Sequence, residues 1–304
     1  VNWTQIQWVW AMGPDGNLIP NSGSTWNPIL GCKEVSPGCA NCYSARLIGT
    51  RMSKNPSLPL YHDLAVVGSN GHPHFTGAHR SVPDRLDEPL RSRKGRRIFV
   101  NDMGDLFYEQ HPDSEIAAVF SVMERARHQT FLVLTKRPER MANFCLDYFR
   151  ATSPSGETTA QIPENIWFGT SVENQDVADK RIPHLMRLAG AMVLFLSCEP
   201  LLGPVVLPAE FLALGRRGWT LIGGESGPKA RPCNVADVRA LAKQSQRAGV
   251  LTFVKQLGAR PQPERIHCPE YGPQAYTFET LRVRDPHGGE PHEWPEDLRV
   301  REVP

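Results

Sequence analysis

Six short apolar runs, each ending abruptly in polar residues, constrain this chain more than any other feature. They are RIFVND (97–102), TFLVLTK (130–136), IWFGTSVE (166–173), MVLFLSCE (192–199), WTLIGGE (219–225) and LTFVKQ (251–256). Continuous apolar runs of this length fit strands buried on both faces, as in a parallel sheet covered by helices. The intervening segments have helical patterns. Ile116, Val119, Phe120 and Met123 recur at helical spacing after Pro112, Asp113 and Glu115, which suit a first turn. Asn234 is placed to cap a helix with Val238, Leu241, Ala242 and Ser245 on one face and Gly249 as its stop. Alternating strand and helix imply βαβ units with right-handed crossovers. Six such strands, with one more near the N-terminus, favour a full or partial parallel (β/α) barrel over an open sheet. The expected barrel-like domain covers 1–258 and includes a cysteine loop at 31–43. Beyond it, 259–304 reads as a small C-terminal β appendage, with alternating Tyr276, Phe278, Leu281 and Val283.

Charge is nearly balanced: 34 Lys and Arg against 32 Asp and Glu leave +2, so no broad single-sign field draws in nucleic acid. A nucleic-acid partner needs a local patch. The basic run Arg91, Arg93, Lys94, Arg96 and Arg97 reads first as a solvated face. No stretch of about 18 consecutive apolar residues occurs, and the VNWTQIQWVW start lacks the pattern of a secretory signal. The expectation is a soluble, cytoplasmic protein without a membrane partner. Trp3, Trp8, Trp10 and Trp26 read as packing residues, and His62, His72, His74, His79 and His111 mostly as loop residues.

Seven cysteines is an odd number in a long chain, unlike a secreted disulfide framework. Cys145, Cys198, Cys233 and Cys268 are scattered, but Cys32, Cys39 and Cys42 form C-x6-C-x2-C in a loop bent by Ser36, Pro37 and Gly38. Three thiolates from one loop can meet on one inorganic centre, and soft sulfur selects zinc or iron–sulfur. Structural zinc wants a fourth ligand and is usually built from two matched pairs, whereas no second C-x2-C exists here. A [4Fe–4S] cluster usually takes four cysteines, so three leave one iron open to a ligand. Spacing alone leaves both metals standing.

The order of STWNP, GC(x6)CxxCY, FVNDMGDLF, LTKRPERM, GTSVENQ, SCEPLLGP, GGESGPKARP, FVKQLG and EWPEDLRVREVP resembles an uncharacterised protein family from phages and bacteria, placed near radical S-adenosylmethionine enzymes. The first cysteine spacing is three residues longer than the C-x3-C-x2-C usual in those enzymes, and the aromatic Tyr43 follows the last cysteine instead of preceding it. The resemblance implies a [4Fe–4S] cluster on Cys32, Cys39 and Cys42, S-adenosylmethionine at the open iron, and an electron donor such as a flavodoxin or ferredoxin. Cleavage of the cofactor would give a 5′-deoxyadenosyl radical acting on an unknown substrate, with a nucleotide or nucleic acid worth testing.

In α/β barrels the active site lies at the carboxyl ends of the strands. Here those ends carry Asn101 and Asp102, Lys136 and Arg137, Ser171 and Glu173, Cys198 and Glu199, Glu225, and Lys255. Such charges need partners, either each other or a charged small molecule held in a polar cup, and their repetition on every strand favours the cup. On the radical-enzyme reading, Asn101 and Asp102 are placed for the cofactor amine and Ser171 and Glu173 for its ribose. Glu225, in a Gly-Gly-Glu, is a further cofactor contact, and Lys255, Lys136 and Arg137 suit carboxylate or phosphate. Cys198, Glu199, Arg137 and Lys136 are the catalytic candidates. The rival readings are a zinc-stabilised nucleic-acid-binding protein, using Arg91–Arg97 and Arg137, and an iron–sulfur protein without radical chemistry.

Overall fold

Each of the six apolar runs forms a strand. The computed structural model describes residues 2–152, 161–267, 276–278, 281 and 283–304. The polar Ser/Thr/Pro stretch 153–160 falls outside them, as does Cys268. The chain is mixed α/β, and its main sheet has eight strands, mainly parallel. The strand order does not close into a ring among the described residues, so no full barrel is seen there. No helix among them is long and apolar enough to cross a membrane. The chain divides into two compact units.

The first unit is Val1–Ser171 with Lys180–Phe195. Its strands are β1 (Asn2–Trp3), β2 (Ser24–Trp26), β3 (Ile29–Gly31), β4 (Ala65–Val67), β5 (Pro73–Phe75), β6 (His79–Ser81), β7 (Arg97–Val100), β8 (Thr130–Thr135) and β9 (Ile166–Ser171). Its helices are α1 (Tyr43–Leu47), α2 (Glu88–Arg91), α3 (Asp113–Arg125) and α4 (Pro138–Ala151). β1 is antiparallel to β2, and β2, β7, β8 and β9 run parallel in that order. Trp26, Val100, Val133 and Phe168 stand in one row across these four strands, each no more than 1% exposed. This is the double burial that the continuous apolar runs required. α3 buries the expected Ile116, Val119, Phe120 and Met123. Phe120 lies among the rings of Phe107, Phe144, Tyr148, Phe149 and Phe168, with centroids 5.4–6.3 Å away.

Trp8, Trp10 and Trp26 are buried as expected, but Trp3 is 62% exposed. The Arg96 guanidinium covers the Trp3 ring at 3.9 Å. Arg97 donates to the Trp10 carbonyl at 3.2 Å and lies 5.3 Å from the Trp167 ring. The C-terminal end of the basic run is therefore fastened down, and only Arg91, Arg93 and Lys94 face solvent as a solvated run would.

The second unit is Val172–Asp179 with Leu196–Pro304. The unit boundaries cut α5 (Gln175–Met186) and β10 (Leu194–Cys198). It holds α6 (Ala209–Leu212), β11 (Gly218–Gly223), β12 (Cys233–Asn234), α7 (Val235–Arg247), β13 (Leu251–Gln256), β14 (Pro261–Gln262), β15 (Arg265–His267) and β16 (Tyr276–Phe278). β11 and β13 are parallel, with α7 as their connection. The Asn234 side chain accepts from the Ala236 N–H, and α7 buries the expected Val238, Leu241, Ala242 and Ser245. Gly249 follows at φ +71°, the left-handed turn that ends a helix. β15 and β16 form an antiparallel pair beyond residue 258. Farther on, Val254 donates to the Val300 carbonyl and Glu302 to that of Thr252, so the C-terminal residues line β13.

Loss of the α7 cap has a calculable cost. Asn234→Ala should lower stability by about 1 kcal/mol and Asn234→Ser by much less, as read from urea unfolding followed by circular dichroism.

Candidate functional site

The cysteine loop begins where two glycine backbones touch. Gly31, the last residue of β3, has φ +117°, and a Cβ there would run into the Ala78 carbonyl. Gly104 bridges Gly31, and its own Cβ would sit 2.7 Å from the Gly31 oxygen. Only glycine allows main chains this close. Cys32 follows directly. A tight turn over Pro37–Cys39 then folds the loop back, and Cys42 precedes α1. All three cysteines are half-buried and free of disulfides.

A small core underlies the loop, and much of it comes from the Pro-, Gly- and His-rich segment from Asn55 to Arg96. β4 and β5 form an antiparallel hairpin, and β6 pairs antiparallel with β3. With α1 they gather Leu30, Ala45, Ile48, Tyr61, Leu64, Phe75 and Met103 into one buried cluster, against which Cys32 and Cys42 pack. The stretch from Asn55 to Arg96 thus serves as a floor for the cysteines. The hairpin also ties down the loop's tip, where the His72 Nε2 meets Glu34 Oε1 at 2.8 Å. His111 lies in a loop as expected, though buried, whereas His74 and His79 fall on β5 and β6.

The carboxyl ends of β7 and β8 hold the loop at both of its ends. From β8, the Arg137 guanidinium donates Nε to Glu109 at 2.7 Å, Nη1 to Asp105 at 3.1 Å and to the Cys32 sulfur at 3.7 Å, and Nη2 to the Lys33 carbonyl at 2.9 Å. It also lies 5.1 Å from the Tyr108 ring. Asp105 accepts in turn from Thr135 Oγ1 at 2.6 Å and from the backbone N–H groups of Lys136 and Phe107, both at 3.0 Å. From β7, Asp102 holds the other end. Its carbonyl accepts from Ser44 Oγ at 2.6 Å and from the Tyr43 hydroxyl at 3.0 Å, and its carboxylate from Asn27 Nδ2 at 2.5 Å.

The three thiols share one electrostatic environment. Burial pushes the Cys32 thiol above its ordinary pKa, the Asp105 carboxylate adds to this, Arg137 opposes it, and Cys42 and Cys39 contribute further. Burial also raises Cys42, against the pull of the Ala45 N–H and of Lys136. Among the described residues, no three His, Cys, Asp or Glu side chains are gathered into a group able to hold a metal ion. The three cysteines share a loop but are not drawn around a common point.

Asn101 stands apart from this web. It is 3% exposed and has φ +58°, and neither its Oδ1 nor its Nδ2 has a hydrogen-bond partner. A buried amide with both ends unmet costs stability, and such sites cluster where ligands bind. Lys136 Nζ reaches Ser171 Oγ at 3.3 Å, so Asn101, Asp102, Lys136, Arg137, Ser171 and the three cysteines all belong to the first unit.

The remaining candidates lie in the second unit, mostly paired with one another. Glu199 accepts from Lys255 Nζ at 2.6 Å and from Gln256 at 3.1 Å. Arg231 grips both Glu225 oxygens, at 2.6 and 3.0 Å. The Gly-Gly before Glu225 has a packing role, since a Cβ on Gly224 would strike the Leu257 carbonyl. Cys198 is fully buried, and burial and the Glu173 carboxylate raise its thiol pKa, so it keeps its proton at neutral pH. Mutual ion pairing thus accounts for the charges of Lys255, Glu199 and Glu225.

The family model described as "Protein of unknown function (DUF5131)" matches residues 17–282. The chain belongs to that family. No curated protein and no solved structure matches it. The matched span takes in the whole cysteine loop, both strand ends that hold it, and most of the second unit.

Of the residues that build the site, Asp105, Glu109, Tyr108, Asn27 and Ser44 were not singled out from sequence. Asp105 sits four residues after Asn101 in VNDMGDLF, and its closeness to a strand end was the available signal. Burial raises the Asp105 carboxyl, but Arg137, Thr135 and the two backbone donors outweigh this and hold its pKa below the ordinary carboxylate value. The unfolded chain then binds the proton more readily than the folded one. The stabilisation is complete above an unfolded value of about 3.9 and is lost as pH falls through the lower folded value. Asp105→Asn should cost about 3 kcal/mol at neutral pH, because it strips a buried cation of a partner, and the deficit should shrink toward pH ~3. Urea midpoints for the two proteins across that range test it.

Proposed function

We propose that the chain is an iron–sulfur enzyme of the radical S-adenosylmethionine kind, carrying a [4Fe–4S] cluster on Cys32, Cys39 and Cys42. One observation carries this reading: three free cysteines lie on one loop held from the carboxyl ends of β7 and β8, and a buried amide without a hydrogen-bond partner lies at the same end of β7. The chemical type of the donors suits the group. Three soft sulfur ligands suit iron–sulfur, and a cluster that usually takes four leaves one iron for a small ligand. When bound, the cluster with S-adenosylmethionine supplies one-electron cleavage of a sulfonium to methionine and a carbon radical that takes hydrogen from a substrate. A flavodoxin or ferredoxin is the proposed electron source, and a nucleotide or nucleic acid the substrate class to test first. The parallel order of β2, β7, β8 and β9 supports a partial (β/α) barrel as the scaffold.

The chain's own groups divide the work. Asn101 offers two donors and an acceptor, which suits an amino-acid amine or carboxylate. Asp102 is engaged with Asn27, Tyr43 and Ser44 and serves to anchor the loop. Lys136, linked to Ser171, is a cation at that end of the sheet suited to meet a carboxylate or phosphate.

Anaerobic purification with iron, sulfide and zinc analysis is the deciding experiment. About four irons and four sulfides per chain are expected, with slow release of 5′-deoxyadenosine and methionine when the reduced protein meets S-adenosylmethionine. Single Cys32→Ala, Cys39→Ala and Cys42→Ala proteins should lose the iron, and Cys145→Ala should keep it. Colourless protein with one zinc would establish the zinc reading instead.

Asn101 makes a separate prediction. Asn101→Gly removes the unmet amide and suits the left-handed backbone, so it should raise stability by about 1 kcal/mol while weakening S-adenosylmethionine binding. Thermal melts and equilibrium dialysis against the labelled cofactor give the two readouts.

A further inference from the structure

Four of the five N–H groups of Arg137 are already engaged with Glu109, Asp105, Lys33 and the Cys32 sulfur, and its side chain is 6% exposed. It is thus unsuited to gripping a substrate anion, the role its strand-end position suggested. Its donors instead join three stretches of chain: its own strand end, the Asp105–Glu109 turn and the start of the cysteine loop. The sulfur contact falls on the first cysteine and the carbonyl contact on the next residue. Packing reinforces both, since Tyr108 covers the guanidinium and Asp105 is itself fixed by Thr135 and two backbone N–H groups. A planar fork with fixed directions can serve carboxylate, carbonyl and sulfur at once, which an ammonium cannot.

From this geometry we infer that Arg137 is a positioning residue for the cysteine centre: it clamps the loop at Cys32–Lys33 and donates a charge-assisted hydrogen bond to the Cys32 sulfur. The sulfur half rests on the iron–sulfur reading above, and the clamp half does not. Hydrogen bonds and positive charge at a ligating sulfur stabilise the more negative, reduced state of a centre. Arg137 therefore raises the potential at which the centre accepts an electron.

Two measurements on the full chain separate these halves. The first is amide hydrogen exchange of the metal-free protein. Removing the clamp in Arg137→Met should speed exchange over residues 32–42 about tenfold, the equivalent of one charge-assisted hydrogen bond, and leave the amides of β7 and β8 unchanged. Because Arg137→Met strands the Asp105 carboxylate, Arg137→Met/Asp105→Asn is measured beside it and should give the same local pattern in a stable protein. The second is the midpoint potential of the anaerobically reconstituted centre. It should move to more negative values in both proteins and return partway in Arg137→Lys, which restores charge without the fork. Unchanged loop exchange in the double variant, or faster exchange throughout the first unit, would overturn the clamp. A loaded Arg137→Met protein with the wild-type potential would overturn the sulfur contact. Wild-type protein that takes up no iron would refute the iron–sulfur reading and the sulfur half with it, and the exchange data alone would then decide the clamp.

Discussion

The buried ion pair between Arg137 and Asp105 is the interaction on which the first unit's functional end depends. The two side chains are 6% and 7% exposed and 3.1 Å apart. Bringing both charges out of water is costly, and well-packed apolar residues would often stabilise a fold as well or better. What the pair supplies is direction. Asp105 fixes the guanidinium, and the guanidinium then has donors left for Lys33 and Cys32. Without that pair, the start of the cysteine loop would rest on the contacts between Gly31 and Gly104 and on the small core below it.

A parallel sheet places the ends of several strands side by side, so loops that follow different strands can be tied together by short side chains. Here β7 and β8 supply Asp102 and Arg137, one for each end of the same loop. Next to the Asp102 anchor lies Asn101, in a backbone conformation unfavourable for most residues and with its amide unmet. The neighbouring groups saturate one another while this one does not. That contrast separates structural polar residues from a candidate ligand contact better than strand-end position does.

The strands and the long helices were legible because they are decided locally. A double-buried strand must be apolar without interruption, and the α3 and α7 faces are fixed by spacing, with Asn234 marking a helix start. The cysteine motif was legible for the same reason. The strand-end charges were legible as positions but not as partners: Glu199 with Lys255 is a pairing across 56 residues, and nothing in either run announces the other. The segment from Asn55 to Arg96 was opaque for a different reason. Its strands are three residues long and partly exposed, so neither period nor continuity had room to appear, and its order comes from the floor it builds under Cys32 and Cys42.

The contact of Gly31 with Gly104 joins main chain to main chain, so the point where the loop leaves the sheet does not depend on any side chain within the loop. Lys33, Glu34 and Val35 project into solvent just beyond it. The loop's exterior is thereby uncoupled from its foundation. The Lys33 and Val35 side chains can drift in charge and size while Glu34 stays tied to His72 and the first sulfur keeps its place.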